Sequence, residues 1–299
     1  MGSITCDRVS EWKAFDDTKA GVKGLVDAGI TTIPQIIIQD HHTKHKFDDK
    51  PICRDPKISI PIIDLKRIHR DSSLRSQVID QIRSAREKWG FFQVINHGIP
   101  TSIWIMPLMG SIGFFNKMLR LSRNIILVIT PKKLNIGTLF ELLSEALGLD
   151  PNYLKDIGCV EEMTIGNATH SDPGFVTVLI QDQIGGLQVF HEDQWFDIAP
   201  VPGTLVVNLG YMMQLITNDK FKSAYHRVLS NKEDSRISIG SFFMNNSCSR
   251  RYGPIKELLS EENPPLYPAI TLKDIYNNQT SKNNELSALD KLNLASRSR

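Results

Sequence analysis

A chain of 299 residues with 41% apolar and 23% charged residues can bury a substantial core, and its formal charge of +2, without any strongly basic run, excludes the electrostatic footprint of a nucleic-acid-binding protein. The four cysteines (Cys6, Cys53, Cys159 and Cys248) form no Cys-x-x-Cys pair, which argues against a disulfide framework or a structural zinc site and for a reducing, cytoplasmic setting. Residues 1–24 are too polar for a secretory signal, and the apolar runs 103–115 and 125–129 are separated by Lys117, Arg120 and Arg123, so neither reaches the length of a membrane span and no membrane partner is expected.

Residues 10–28 have the spacing of a short amphipathic helix ending near Gly29. Residues 58–65 alternate briefly around Pro61, which predicts an edge strand, because proline cannot donate to a ladder. Leu74, Val78, Ile79, Ile82, Ala85 and Trp89 recur at helical spacing, so 74–89 is expected to be a helix with one buried stripe, stopped by Gly90. A buried strand over 91–95 and a turn at Asn96-His97-Gly98 follow, and 137–147 reads as another apolar-faced helix. From residue 174 the texture changes to short strands, expected at 175–181, 186–190, 195–198, 204–209, 226–230 and 236–243. Gly185-Gly186, Glu192-Asp193 and Pro202-Gly203 supply the turns, and such closely spaced strands argue a sandwich, jelly roll or small barrel. Residues 261–299, rich in Asn, Ser and Lys, are expected to form a helical tail.

A His-x-Asp pair on extended backbone puts both side chains on one face. With one more histidine from a neighbouring strand, two imidazoles and a carboxylate occupy one face of an octahedron, a donor set that suits iron(II) and leaves three positions open. The chain holds three such pairs: His69/Asp71, His170/Asp172 and His191/Asp193. The first lies in a charged approach to a helix and the second of its histidine rivals, His191, lies in an expected hairpin turn, whereas His170 precedes the longest strand-like run and Pro173 biases Asp172 toward extended backbone. His226 opens a later strand, and ten residues on comes Arg236-Ile237-Ser238, with Arg236 and Ser238 on one face and Ile237 on the other. Two readings of Arg236 are open: a surface pair with Glu233 or Asp234, or a buried fork for a dicarboxylate, to which Ser238 adds a hydrogen bond.

The order His-x-Asp, distal His, Arg-x-Ser resembles the iron(II)/2-oxoglutarate-dependent oxygenases. WGFFQVINHGIP at 89–100 resembles the amino-terminal signature of the plant soluble oxygenases. Residues 7–30, QDQIGGLQV at 181–189 and QLITNDKFKS at 214–223 are similar to the group called 1-aminocyclopropane-1-carboxylate oxidase homologs. The resemblance implies an α+β fold, a double-stranded β-helix (jelly roll) core with flanking amino-terminal helices. It implies iron(II) on His170, Asp172 and His226, a 2-oxoglutarate carboxylate clamp of Arg236 and Ser238, O2 as co-reactant and a small plant metabolite as substrate of a monomeric enzyme. It divides the chain into an amino-terminal helical/strand region (1–100), a divergent apolar segment (101–136), a jelly-roll domain (137–260) and a tail (261–299).

Residues 101–136 are shorter and more basic than the several helices and strand that the family places there. The family's Asn-Tyr-x-Pro-like strand before His-x-Asp is largely missing, with Met163-Thr164-Ile165 its one candidate replacement, and Tyr211 stands where an Asp is usual. These departures imply an incomplete core with an unpaired strand edge, and leave open a catalytically impaired relative that keeps metal binding. A true 1-aminocyclopropane-1-carboxylate oxidase, using ascorbate in place of 2-oxoglutarate, is a third alternative.

Overall fold

A computed structural model of the chain describes residues 45–55, 57–99, 124–128, 137–156, 160–162, 169–229, 236–244, 250–271 and Asp274. The expected helix over 10–28 and the Met163-Thr164-Ile165 piece lie outside these residues.

Strand β1 (Ile62–Asp64) runs parallel to β2 (Phe91–Ile95) at the margin of the larger sheet, as the proline-bounded pattern predicts. Between them helix α1 (Ser72–Lys88) starts at Asp71, whose carboxylate accepts from the amides of Ser73 (2.9 Å) and Leu74 (3.1 Å). Those bonds satisfy two donors that the first helical turn leaves without partners. Its stripe of Val78, Ile82 and Ala85 is buried. Gly90, at φ +64°, lets the chain turn into β2 where an added Cβ would lie 2.4 Å from the Lys222 carbonyl, so the stop after α1 is also a close-packing requirement.

The remaining elements are β3 (Asn124–Val128), α2 (Gly137–Ala146), α3 (Tyr153–Asp156), β4 (Val160–Glu162), β5 (Val176–Gln181), β6 (Leu187–His191), β7 (Gln194–Asp197), β8 (Leu205–Leu209), α4 (Tyr211–Ile216), β9 (His226–Val228), β10 (Arg236–Met244), β11 (Arg251–Tyr252) and β12 (Ile270–Thr271). The major sheet is ordered β1-β2-β8-β5-β10-β3, with β4 also on β10; the minor sheet is β7-β6-β9; β11 and β12 form a small ribbon. Two facing sheets with mostly antiparallel neighbours are the jelly-roll plan.

Period-two alternation sorts the strands into faces. Phe92 and Val94 of β2, Val176 and Val178 of β5, Leu205, Val207 and Leu209 of β8 and Phe243 of β10 join a cluster with Val78, Ile82, Leu142 and Leu143 on the helical side. Phe91 and Val206 turn the other way and pack with Leu187, Val189, Phe196 and Ile198 between the sheets. On that inward side β5, β8 and β10 also place polar residues, Thr177, Asn208, Arg236 and Ser238, all buried.

The edge of β10 is where the family's missing strand would matter. Val160–Glu162 pairs antiparallel with Phe242 to Met244, and Asn124–Val128, from within the divergent segment, pairs parallel with Arg236 to Gly240. The expected open edge therefore carries a substitute strand of opposite sense along its first half. Of the tail, residues 261–269 are irregular and 270–271 pair with 251–252; the rest of it, apart from Asp274, lies outside the described residues. The expected strand over 226–230 ends at Val228. No described helix is long and apolar enough to cross a membrane.

Candidate metal centre

His170 and His226 face each other through an isolated antiparallel bridge: the His170 amide donates to the His226 carbonyl (3.0 Å) and the His226 amide to the His170 carbonyl (2.8 Å). Paired residues of a bridge project to the same side, so both imidazoles point into the space between the sheets, with ring centroids 4.2 Å apart. Asp172, two residues on, reaches the same space, its Oδ1 lying 3.4 Å from His170 Nε2 and 3.5 Å from His226 Nε2. One donor atom of each of the three residues falls within 4.8 Å of the others, so the set could hold a single metal ion. Among the described residues this is the one such group.

The carboxylate is built into the wall. Thr177 Oγ1 and Asn208 Nδ2 (2.7 Å) both donate to Asp172 Oδ2, so one oxygen is held by β5 and β8 and the other is presented to the imidazoles. The Tyr211 amide donates to the Asp172 carbonyl (2.9 Å). Beside it Gly210 leaves no room for a side chain, since an added Cβ would lie 2.2 Å from the Gly174 carbonyl and 2.8 Å from that of Asp172.

Burial works against the charged form of Asp172, but the imidazoles of His226 and His170 and the Thr177 hydroxyl outweigh it and hold the carboxyl well below the usual carboxylate range. Burial, reinforced by His170 and only partly opposed by Asp172, pushes His226 down to about 4. At neutral pH the pair is thus a carboxylate and a neutral imidazole, the protonation states a divalent cation requires. The Ala224 carbonyl lies 3.3 Å from His226 Nδ1; with the proton there, the Nε2 lone pair faces Asp172.

A cleft opens from these residues, lined by Phe91, Leu179, Leu187, Val228 and Phe242 and by Arg236 and Ser238. Arg236 is 1% exposed, which excludes the surface ion pair. Its Nη1 donates to Ser238 Oγ (2.8 Å) and its Nη2 to Gln181 Oε1 (3.0 Å), while Nε is buried without a partner. Burial pulls its pKa down and Asp182 only partly opposes this. A buried guanidinium held by two neutral groups, with its Nε unbonded, is costly unless a carboxylate enters.

The other His-x-Asp pairs do not assemble. Asp71 caps α1 and His69 is exposed. His191 and Asp193 flank the two-residue turn of the β6–β7 hairpin at its start and second turn position, and Asp193 pairs with Lys50 at the surface (2.9 Å). Sequence reasoning missed Thr177, Asn208 and Gln181; the signal was there as a polar residue at an inward position of the otherwise apolar strands VTVLIQ and LVVNL.

The profile of the 2OG-Fe(II) oxygenase superfamily matches residues 152–245, and that of the amino-terminal region of a non-haem dioxygenase in morphine synthesis matches 60–118, running into the segment set apart as divergent. A 1-aminocyclopropane-1-carboxylate oxidase homolog of Solanum lycopersicum is 40% identical over 338 residues, covering 90% of this chain and 92% of the relative. Deacetoxyvindoline 4-hydroxylase of Catharanthus roseus is also 40% identical, covering 90% of this chain and 84% of the relative. An alignment over 338 residues exceeds the 299 present here, so the tomato relative carries internal residues that this chain lacks. Among solved structures, JOX2 in complex with 2OG, Fe and JA superposes with a TM-score of 0.61 at 23% identity (93% of this chain, 96% of that one). The rice dioxygenase for auxin oxidation superposes with a TM-score of 0.62 at 22% identity (79% and 100%).

Proposed function

Since this chain belongs to the 2OG-Fe(II) oxygenase superfamily, we propose that His170, Asp172 and His226 bind one iron(II) and that Arg236 and Ser238 clamp the distal carboxylate of 2-oxoglutarate in the adjoining cleft. The observation that carries this is Arg236: a buried guanidinium with an unused Nε, opening on the same cleft as the three donor groups. The donor set fits iron(II), with two neutral imidazoles and one carboxylate and room on the cleft side for further ligands. Bound there, iron(II) and 2-oxoglutarate supply the activation of O2 with which a substrate C–H bond is oxidised.

The chain's own share is binding, orientation and exclusion of water. Thr177 and Asn208 keep Asp172 turned toward the metal position, and Phe91, Leu179, Leu187, Val228 and Phe242 keep the cleft apolar. The proposed substrate is a small plant metabolite and the proposed outcome hydroxylation, the reaction after which one relative is named. The chain is proposed to act as a monomer, with 137–260 as its catalytic domain and 1–100 as its amino-terminal support. Titration of the anaerobic protein with iron(II) and then 2-oxoglutarate tests this: a charge-transfer absorption should appear only when both are present, and its absence would refute the site.

A second reading, a relative that binds metal but turns over poorly, is favoured by the internal residues that this chain lacks. The charge-transfer band without succinate formation would select it. Succinate formed without ascorbate would set aside an ascorbate-driven 1-aminocyclopropane-1-carboxylate oxidase.

A further inference from the structure

His226 sits on a strand with a full neighbour, β6, but His170 is held by a bridge one residue pair long. Two backbone bonds fix the height of that segment, and contacts on its outer face add a restraint on its rotation. The outer face of the bridge supplies a candidate. Thr169 and Arg227, the neighbours of the two histidines, project to the face opposite the cleft, because adjacent residues of extended chain alternate.

There they meet a strap formed by residues 45–53. Asp48 Oδ1 accepts from Thr169 Oγ1, and the Asp48 carbonyl accepts from Arg227 Nη1 (3.1 Å), whose charge lies 4.0 Å from the same Oδ1. Asp48 Oδ2 accepts from the His45 amide (2.7 Å), so the carboxylate is set by its own turn before it meets the bridge.

The strap is docked along the whole minor sheet. Trp195 Nε1 donates to the Phe47 carbonyl (2.8 Å), Phe47 stacks on Phe190 with centroids 4.2 Å apart, and the Cys53 amide donates to the Trp195 carbonyl (2.8 Å). Arg227 lies over the Trp195 ring at 4.0 Å and donates from Nε to Gln188 Oε1 (2.8 Å). Asp48 is therefore one residue tied to the neighbours of both candidate histidines, by its carboxylate to Thr169 and by its carbonyl and the nearby charge to Arg227, on an element that belongs to neither.

We propose that Asp48 is a positioning residue for the metal centre, fixing the His170 segment against the His226 strand from the outer face of their bridge. This rests on the reading of His170, Asp172 and His226 as iron ligands. Asp48→Ala in the full chain should weaken iron(II) binding about tenfold, the lower end of what partners outside the ligand sphere contribute. Asp48→Asn, which can still accept from Thr169, should lose less. Thr169→Val added to Asp48→Ala should cost little beyond Asp48→Ala alone, because both remove the same bond. Lys50→Ala removes the strap's ion pair to Asp193 and should leave iron(II) affinity unchanged.

Affinities are to be measured well below each variant's unfolding temperature, with the visible spectrum of the cobalt(II)-loaded chain as a second readout. That spectrum should change in Asp48→Ala and not in Lys50→Ala. Parent-like iron(II) affinity and cobalt spectrum in Asp48→Ala, even with a lowered melting temperature, would make Asp48 merely structural and overturn the inference alone. Equal weakening by Lys50→Ala would overturn it too, assigning the effect to docking of the strap in general. An unaltered chain that bound no iron(II) would overturn the metal centre and the inference together.

Discussion

His170-Ser171-Asp172 and His191-Glu192-Asp193 are the same pattern in one chain, and they end in opposite chemistry. The first runs extended through a bridge into the space between two sheets, and its Asp172 is buried with Oδ2 held by two donors. The second crosses a tight hairpin turn, with Glu192 at φ +44° and Asp193 at φ +62°. That left-handed backbone turns Asp193 away from His191 and toward Lys50 and solvent. The difference teaches that the tripeptide carries no chemistry by itself. What makes it a candidate metal site is extended backbone, burial and a third donor across a bridge.

The strongest way to break this comparison is His226→Ala, which leaves His170 and Asp172 without their third donor. It should abolish stoichiometric iron binding, as measured by metal content after gel filtration, while the wild-type chain retains one iron. Retention of metal by that variant would show that the two histidine patterns had been ranked on false grounds.

Arg236→Lys comes next. It keeps the charge and loses the fork, so 2-oxoglutarate affinity should fall by tenfold or more with iron content intact. Equal 2-oxoglutarate affinity, read from the charge-transfer titration, would mean that Arg236 serves packing alone.

Thr177→Val and Asn208→Leu sharpen the contrast in burial, since each frees one bond from Asp172 Oδ2. Iron affinity should fall roughly tenfold in each, measured by competition with a chelator. Values within twofold of wild type would show that the carboxylate needs no such anchor.

Acid offers a graded test on the metal-free chain. The pKa of His226 is lower folded, at about 4, than the usual 6.5, so the unfolded chain takes up the proton first. The sign follows: this contribution to stability is present above about 6.5 and is lost as pH falls toward about 4, and the depressed Asp172 adds a loss in the same direction at still lower pH. Urea midpoints should drop between pH 7 and pH 4.5, and drop less in His226→Leu. A flat midpoint in the parent would contradict the burial of His226.

His191→Ala is the smallest effect expected. Iron binding should be unchanged and stability should fall by about 1 kcal/mol, since the ring ends β6 half-buried against Trp89 (4.4 Å). Metal loss matching that of His226→Ala would reverse the assignment.

Much of the fold was legible because burial imposes a period. The stripe Val78, Ile82 and Ala85 gave the helix, Phe91 to Ile95 the strand, and Glu192-Asp193 the hairpin turn, each within a few residues of its observed bounds. Arg236 beside Ser238 was legible as a pair sharing one face, since alternation on a strand is local. Thr177 and Asn208 were not, because a polar residue in a strand declares a function only once its inward face and its neighbour are known. The substitute strand Asn124–Val128 was not legible either: a parallel partner along β10 leaves no turn signal at either end to announce it.

By itself, then, the sequence determined the kinds of elements, the family and the shortlist of donors, because these depend on side-chain chemistry and on spacing along a few residues. Only the tertiary structure decided which histidines meet, that Arg236 is buried with its Nε unbonded, and that Asp48 reaches the neighbours of both His170 and His226. Those facts depend on which distant strands share a bridge and which face they turn inward. That outcome is set by the packing of two whole sheets against each other, which no local window of residues contains.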